Sequence, residues 1–468
     1  MDSADEARVI ATFVVPGEPR TVEGILKQVY HDLKSGNKDA DIELREISQP
    51  YIRIEAPTEE DALVLIRTAR RLADSHLSGT LTDQKLVFVE LPASFTTTNF
   101  RIAVQAIDAA KNARPVIEIV PGTPDATLES SSDRYKQIFS ENLCTALQEA
   151  SNLHASVILH VQLGYYLLQS YKPGKYTPEQ FDDMVKHPRA TGYLETCLGK
   201  APYNEGLSVK AIMRLIRESG SPCVPIDNQT PTSADVTPTY IFECWHDGNR
   251  YETQVEMSRT KQGITDGHLK FELNNTTVVP KDAQVPRFEA TSISLGRKLD
   301  WKIAAMPGDD KVGVSSTIKQ YLSMGHTTMQ GPHHDIHCYP VTSLPENHTL
   351  ANKLKSVAMK SIYRFSWKGT GYVVQFTINR RWQSIREMNR KTPKDTDFNV
   401  IIYADNWERD SRVPAGKTVG KIWGSDLQGL LRDETGGIEG CASSRVQGLI
   451  ETILDIRDFF DSCSQVQE

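Results

Sequence analysis

The pattern of apolar residues changes once along this chain, and that change constrains the fold most. Up to residue 218, stretches with the two-residue period of strands are interleaved with apolar residues at helical spacing. From Thr239 onward most segments have the strand period, and Tyr240–His246 and Tyr251–Met257 flank Asp247-Gly248, a strong hairpin signal. This organisation predicts an α+β fold, with α/β units followed by an antiparallel-sheet α+β domain whose helices lie on one face.

Four segments are expected. Residues 1–80 form one α/β unit and residues 81–218 a second unit of similar rhythm. Residues 219–238 are rich in Pro, Ser, Thr and Asp and are expected to be the main linker. Residues 239–468 form a C-terminal β-rich α+β domain. About 150 residues per domain is the usual prior, so three folded units suit 468 residues.

The first two units are predicted in more detail. In the first, a strand at Val9–Val15 precedes a helix that Thr21 caps, two strands (Asp41–Glu46 and Tyr51–Glu55) and a helix from Thr58. In the second, the pattern predicts strands at Lys85–Leu91, Pro115–Val120 and Ser156–Leu168, with helices at Asn99–Ala113, Asp133–Asn152 and Lys210–Glu218.

Composition limits the cellular setting. The formal net charge of −7 argues against a globally basic nucleic-acid packaging protein, so any anion-binding surface must be local. The seven cysteines include no CxxC pair, which fits a reducing compartment. The acidic N-terminus lacks the apolar stretch of a signal peptide, and no segment is long enough to cross a bilayer. We expect a cytoplasmic protein, with the nucleus as the alternative, and no membrane; the oligomeric state is not predicted.

One segment of this acidic chain is strongly basic. Between Lys353 and Lys394 there are eleven Lys and Arg and one acidic residue, Glu387. The segment contains a predicted hairpin, Ile362–Trp367 and Tyr372–Ile378. Strand alternation predicts that its apolar and aromatic side chains point inward as core rather than outward as base-stacking platforms. These inward residues are Tyr363, Phe365, Trp367, Tyr372, Val374, Phe376 and Ile378.

The opposite face of this hairpin is the candidate binding surface. Arg364, Ser366, Lys368, Gln375 and Asn379 would share it. The chain continues beyond the hairpin with further arginines, and a basic face can bind several phosphates by releasing their counterions. The alternative is a solvated face whose arginines pair with carboxylates elsewhere. The predicted nucleic-acid-binding residues are Arg364, Lys368, Arg380, Arg381, Arg386 and Arg390.

A histidine-rich segment carries side chains that could bind a metal. His326 to Cys338 contains His333, His334 and His337, and imidazoles with a thiol suit zinc. Pro332 interrupts the helix that would place His333 and His337 on one face, and no second ligand pair follows at zinc-finger spacing. We expect a polar loop without metal.

Enzyme motifs are absent from the sequence. There is no GxxxxGK[ST], G-x-S-x-G or HExxH, and Gly369-Thr-Gly371 lacks the third glycine and the strand-to-helix context of a dinucleotide fingerprint. The expectation is a non-enzymatic chain with no catalytic residue and no cofactor.

Residues 9–78 resemble a KH-type module in their order of strand, turn, helix, paired strands and terminal helix. KH domains carry GxxG where this chain has Pro16-Gly17-Glu18-Pro19-Arg20. The close backbone approach that the two glycines permit is therefore missing, so the resemblance implies a degenerate module that binds RNA very weakly by itself.

Four later segments resemble a group of largely uncharacterised filamentous-fungal proteins that join KH-like repeats to a β-rich C-terminal domain. The segments are VILHVQLGYYLLQSYKPGKYTPEQFDDMV, RKLDWKIAAMP, SIYRFSWKGTGYVVQFTINRRW and KIWGSDLQGLL. The resemblance implies an RNA-associated or scaffold role and supplies no catalytic residue. We therefore predict RNA binding through the basic hairpin face. The alternative is a protein-interaction scaffold that uses degenerate KH-like folds without binding nucleic acid directly.

Overall fold

The computed structural model describes residues 8–15, 19–37, 41–45, 50–82, 86–121, 133–151, 157–199, 208–226, 238–246, 249–259, 271–280, 288–307, 312–313, 316–330, 339–390, 392–404 and 442–462. The predicted turn at Pro16, Gly17 and Glu18, the segment from His333 to Cys338 and the KIWGSDLQGLL segment lie outside these residues.

Residues 9–82 form a small α/β unit of the predicted order. Its elements are β1 (Val9–Phe13), α1 (Pro19–Gly36), β2 (Asp41–Arg45), β3 (Tyr51–Ala56) and α2 (Glu59–Thr82). The sheet is antiparallel with order β1-β3-β2. Thr58 caps α2, because its Oγ1 accepts a hydrogen bond from the amide of Asp61 at 3.1 Å. Apolar residues at helical spacing in α1 and α2 cover one face of the sheet, among them Leu26, Val29, Leu33, Leu65 and Ala69.

The middle of the chain supplies strands and three helices. They are β4 (Leu86–Glu90), β5 (Phe100–Val104), β6 (Val116–Ile119), α3 (Asp133–Ser151), β7 (Val157–Ser170), β8 (Gly174–Tyr176), α4 (Pro178–Lys186), β9 (Thr191–Glu195), α5 (Val209–Arg217) and β10 (Cys223–Pro225).

The remainder is mostly strand, with three more helices. Its elements are β11 (Pro238–His246), β12 (Asn249–Arg259), β13 (Phe271–Pro280), β14 (Phe288–Ser294), β15 (Asp300–Pro307), β16 (Val312–Gly313), α6 (Ser316–Ser323), β17 (His326–Gln330), β18 (Tyr339–Ser343), β19 (Leu354–Trp367), β20 (Tyr372–Trp382), α7 (Ile385–Asn389), β21 (Asp395–Ala404) and α8 (Ala442–Ser462).

One large sheet joins the middle of the chain to its C-terminal part. Its order is β16-β13-β12-β11-β19-β20-β21-β7-β15-β14-β4, with β10 beside β19 and β9 beside β7. The described pairings in it are antiparallel except that of β14 with β4. The predicted α+β class with an antiparallel sheet is confirmed.

The sheet crosses the predicted boundary at residues 219–238. Strand β7 lies between β21 and β15, and β4 lies beside β14, so residues 81–218 and 239–468 share one sheet. The second α/β unit therefore shares its sheet with the C-terminal domain, and the predicted linker contains a strand, β10. The boundary is predicted from a fall in apolar content, which is a property of the local sequence. Local sequence does not show which distant strands pair with each other.

The two faces of the large sheet differ. Helices α3, α5 and α8 cover one face and form the main core with inward side chains such as Phe139, Ile450, Trp301, Phe376 and Val400. A second cluster continues this face where Trp382 packs with residues of β11, α6 and α7. On the opposite face, α4, β5 and β9 cover only the β4 end, around Tyr166 and Ile293. The rest of that opposite face mixes polar residues such as Arg364 and Gln375 with apolar ones such as Ile401.

The predicted helix at Asn99–Ala113 is wrong. Phe100, Ile102 and Val104 are buried in strand β5, and Arg101 between them is only half-buried, which is the period of a strand. A turn follows, in which Asp108 Oδ1 accepts a hydrogen bond from the amide of Asn112 at 2.8 Å. In the described part of the chain, no helix has the length and apolar character needed to span a membrane.

Candidate nucleic-acid interface

The predicted basic hairpin is formed by β19 and β20 and lies inside the large sheet. β11 and β10 flank it on one side, and β21 flanks it on the other. The predicted inward residues are confirmed, because the six listed next are buried and belong to the main core, with Tyr372 packed against them. They are Tyr363, Phe365, Trp367, Val374, Phe376 and Ile378.

Arg380 is a correction to the predicted binding set. The sequence pattern ends the strand at Ile378, but β20 continues to Trp382, so Arg380 shares the inward face with both residues. Its side chain is buried, its Nη1 donates a hydrogen bond to Ser361 Oγ at 2.9 Å, and its guanidinium lies 4.3 Å from the ring centroid of Tyr339. Arg380 therefore stabilises the core and does not reach the binding face.

Arg381 points to the polar face but is already paired. Its guanidinium forms an ion pair with the buried carboxylate of Asp397, and its Nη2 lies 3.8 Å from Cys197 Sγ. Asp397 also accepts a hydrogen bond from Asn379 Nδ2 at 2.8 Å. An arginine held in this way is available to a phosphate only in competition with its own carboxylate.

The remaining four predicted residues are exposed, in two groups. Arg364 and Lys368 lie at the turn end of the hairpin, and Arg386 and Arg390 lie on and after α7 at the other end. Arg364 pairs with Gln375, and seven residue steps from there to Trp382 separate Arg364 from the end of β20 by about 24 Å. The six residues thus do not form one patch.

A row of register partners crosses six strands on the polar face of the sheet. Partners in adjacent strands direct their side chains to the same face, so one polar surface continues from β19 to β14. Five of the six members are polar, and the apolar one is half-buried. The row is Arg364, Gln375, Ile401, Gln162, Lys302 and Thr291.

At the β15 end of this row, a basic side chain is paired with an acidic side chain of the neighbouring strand. Lys302 Nζ lies 2.8 Å from Glu289 Oε2, and both side chains are largely buried. Burial, together with the nearby charge of Lys302, lowers the pKa of His160 to about 4, so His160 is neutral at pH 7. This end therefore offers hydrogen-bonding groups and little net charge.

Two asparagines beside the row have an unused acceptor. Asn379 is 2 % exposed, and its Oδ1 has no hydrogen-bond partner among the described residues; the same holds for Oδ1 of Asn399 on β21. Gln375 Nε2, by contrast, lies 3.3 Å from Thr377 Oγ1. Buried polar atoms without partners are uncommon in folded proteins, so these two oxygens distinguish this part of the sheet.

The sequence pattern of β7 and β15 indicates part of this row, but the predicted binding set considers only the hairpin and the residues after it. His160 and Gln162 alternate with buried apolar residues in β7, and Lys302 stands between Trp301 and Ile303 in β15. Polar residues at every second position indicate a polar sheet face. They do not reveal which strands are neighbours, so the row could not be assembled from the sequence.

The histidine-rich segment, which is expected to be a polar loop without metal, is only partly described. His326 begins β17, while His333, His334, His337 and Cys338 lie outside the described residues. Within the part of the chain that the structure covers, no group of three or more His, Cys, Asp or Glu side chains is placed to hold a metal ion.

A family model described as "Domain of unknown function (DUF7905)" matches residues 124–420, from before β7 to beyond β21. The chain belongs to this family. The DUF7905 region contains all six residues of the polar row, while β1 to α2 and α8 lie outside it. No curated protein matches the chain.

Among solved structures, the chain is similar to the S. pombe Pct1 RNA triphosphatase, with 10 % identity and a TM-score of 0.29 over 72 % of this chain and 98 % of that one. A structure of the same enzyme in complex with the Spt5 CTD gives 11 % identity and a TM-score of 0.30 over 72 % of this chain and 95 % of that one. Similarity at this level carries no functional argument.

Proposed function

We propose that this DUF7905 protein is a non-enzymatic binding protein that associates with single-stranded RNA through the polar face of its large sheet. The observation that carries the proposal is the row from Arg364 to Thr291, in which an exposed cation on β19 continues into amide and ammonium side chains across six strands. RNA would enter beside Arg364 and Lys368 and cross the strands.

The chemistry of the row suits unpaired RNA. Arg364 and Lys368 can neutralise phosphates, while Gln375 and Gln162 can hydrogen-bond to base edges and 2′-hydroxyls, which single-stranded RNA exposes. Five strand spacings make the row about 24 Å long, enough for several nucleotides. The aromatic residues of the hairpin are core, so recognition here relies on hydrogen bonds and charge rather than stacking.

Photo-crosslinking tests where RNA lies. The full-length protein is irradiated with a single-stranded RNA containing 4-thiouridine, and the crosslinked peptides are identified by mass spectrometry. We expect crosslinks in β7, β15 and β20, reduced in the Arg364→Ser, Lys368→Ser double variant. Crosslinks confined to residues 9–82, or to α7 and the residues after it, would contradict the proposed path.

A protein-interaction scaffold is the second candidate function. The strand, helix, strand, strand, helix order of residues 9–82, with its antiparallel sheet, supports a KH-like unit. Several large apolar side chains of this unit are exposed, which favours contacts with protein. Protein captured with full-length chain after nuclease treatment, together with an absence of RNA crosslinks, would favour this candidate over RNA binding.

A further inference from the structure

The N-terminal unit has an unprotected sheet edge. β1 is an outer strand of its sheet, and in the described chain it pairs only with β3. The sequence from Val9 to Val15 contains neither a charged residue nor a proline. Exposed edge strands usually carry lysine, proline or a bulge that prevents pairing with another chain, and β1 has none of these.

Apolar side chains are exposed on both sides of this edge. Ile10 of β1 is 58 % exposed and Val14, just after it, 44 %. α2 packs back across β1 and β3, whereas α1 lies nearer β2, so α2 borders the open edge. Leu63 and Val64 of α2 are 48 % and 54 % exposed. Two large apolar side chains are therefore exposed along β1, and two more are exposed on the helix that packs against it.

The charges near this edge favour a second copy of the same chain as the partner. On the outer face of the sheet, Arg53 is paired with Glu55 and Glu43 at 2.9 and 3.7 Å. These charges are compensated within the unit and leave β1 electrically neutral. The exposed face of α2 differs: Glu60 lies in its acidic first turn, and Arg67 follows two turns later.

We propose that two copies of this chain associate through β1, antiparallel about a twofold axis near Ala11, to form a continuous six-stranded sheet. This register pairs Val9 with Phe13 of the other copy and Ile10 with Thr12, so no charge enters the new pairing. The two α2 helices then run antiparallel, and the acidic turn of each faces Arg67 of the other. Such a contact is isologous, because each copy contributes the same surface.

Sedimentation velocity of the full-length chain tests the association. A strand pair with flanking helix contacts is a small interface, so we expect a monomer–dimer equilibrium with a dissociation constant in roughly the micromolar range. The edge variant Ile10→Lys, Val64→Lys should be monomeric at every concentration. The control variant Val116→Lys, Ile119→Lys adds the same charge at two apolar residues of β6 that are 49 % and 54 % exposed, and it should dimerise as wild type does.

Exchanging the charges of Glu60 and Arg67 distinguishes loss of a specific interface from loss of folding. Glu60→Arg or Arg67→Glu alone should weaken the dimer roughly tenfold, because each places like charges across the twofold axis. The double variant should recover dimerisation, since the pair is restored with its signs reversed. A monomeric wild type, an edge variant that dimerises normally, or a double variant weaker than either single variant would overturn the proposal. None of these residues lies in the polar row, so failure here leaves the RNA proposal untouched.

Discussion

Arg457 of α8 donates a hydrogen bond from Nη1 to Glu90 Oε2 of β4, and both side chains are inaccessible to solvent. Ser294 Oγ donates to the same carboxylate oxygen at 2.6 Å, and Arg457 Nη2 lies 2.8 Å from Asp458 Oδ1. The pKa of Arg457 is raised because the charges of Glu90 and Asp458 outweigh the burial that would lower it. This network fastens the C-terminal helix to a strand 367 residues earlier.

The two partners should be strongly coupled in stability. Arg457→Met leaves the buried Glu90 carboxylate without this counter-ion, so it should lower the free energy of unfolding by about 3–5 kcal/mol. Glu90→Gln removes one of the two carboxylates that pair with Arg457, so it should cost less. The double variant should cost far less than the sum of the two. Urea denaturation of the four proteins measures the coupling, and additive losses would show that the pair does not interact.

Asp300 should make stability depend on pH. Burial raises the pKa of Asp300 to about 6, although Arg114 and hydrogen bonds from the amides of Tyr166 and Ser294 partly oppose this. An acid with a raised folded-state pKa contributes stability below its ordinary pKa of 3.8 and loses it as pH rises through 6.

The comparison with Asp300→Asn isolates this effect. The unfolding free energy of wild type minus that of the variant should fall by up to about 3 kcal/mol between pH 4 and pH 7. Chemical denaturation across that range measures the difference. A difference that stays constant or grows with pH would show that the carboxylate is ionised in the folded protein throughout.

Truncation of two arginines of the basic segment should change stability by very different amounts. Arg380→Ala removes a buried hydrogen bond and a cation–π contact, so it should cost at least about 2 kcal/mol of stability. Arg386→Ala alters an exposed residue and should stay within about 0.5 kcal/mol of wild type. Thermal or urea unfolding measures both changes in stability. Equal changes for the two variants would contradict the burial of the Arg380 side chain.

Two glycines test local packing: Gly164, where β9 pairs with β7, and Gly448 in α8. A Cβ added at Gly164 would lie 2.4 Å from the carbonyl oxygen of Glu195 and 2.8 Å from Leu194 Cγ. Gly164→Ala should therefore destabilise the protein by about 1–3 kcal/mol. A Cβ added at Gly448 in α8 would meet no described atom within 4 Å apart from the helix's own nearby backbone, so Gly448→Ala should stabilise by about 0.5–1 kcal/mol. Unfolding curves that show neutral Gly164→Ala would contradict this strand contact.

Local patterns predicted local structure well and long-range structure poorly. The inward aromatics of the hairpin follow from alternation, and α2 of the first unit follows from its Thr58 cap and apolar spacing. The predicted Thr21 cap is wrong, because α1 already begins at Pro19. Arg380 was misplaced because the predicted strand stopped at Ile378, while the alternation continues to Trp382. Gln162 and Lys302 are brought beside Gln375 only because β7 inserts between β21 and β15, and no local pattern encodes that insertion.

RNA affinity as a function of salt tests the central claim most directly. With three to four phosphate contacts at about −0.7 each, the log–log slope for single-stranded RNA should be roughly −2 to −3. Arg364→Ser, Lys368→Ser should flatten it by about 1.4, whereas Arg386→Ser, Arg390→Ser, at the far end of the hairpin, should leave it near the wild-type value. No RNA binding by wild type, or equal slopes for wild type and the Arg364, Lys368 variant, would contradict RNA association through this face.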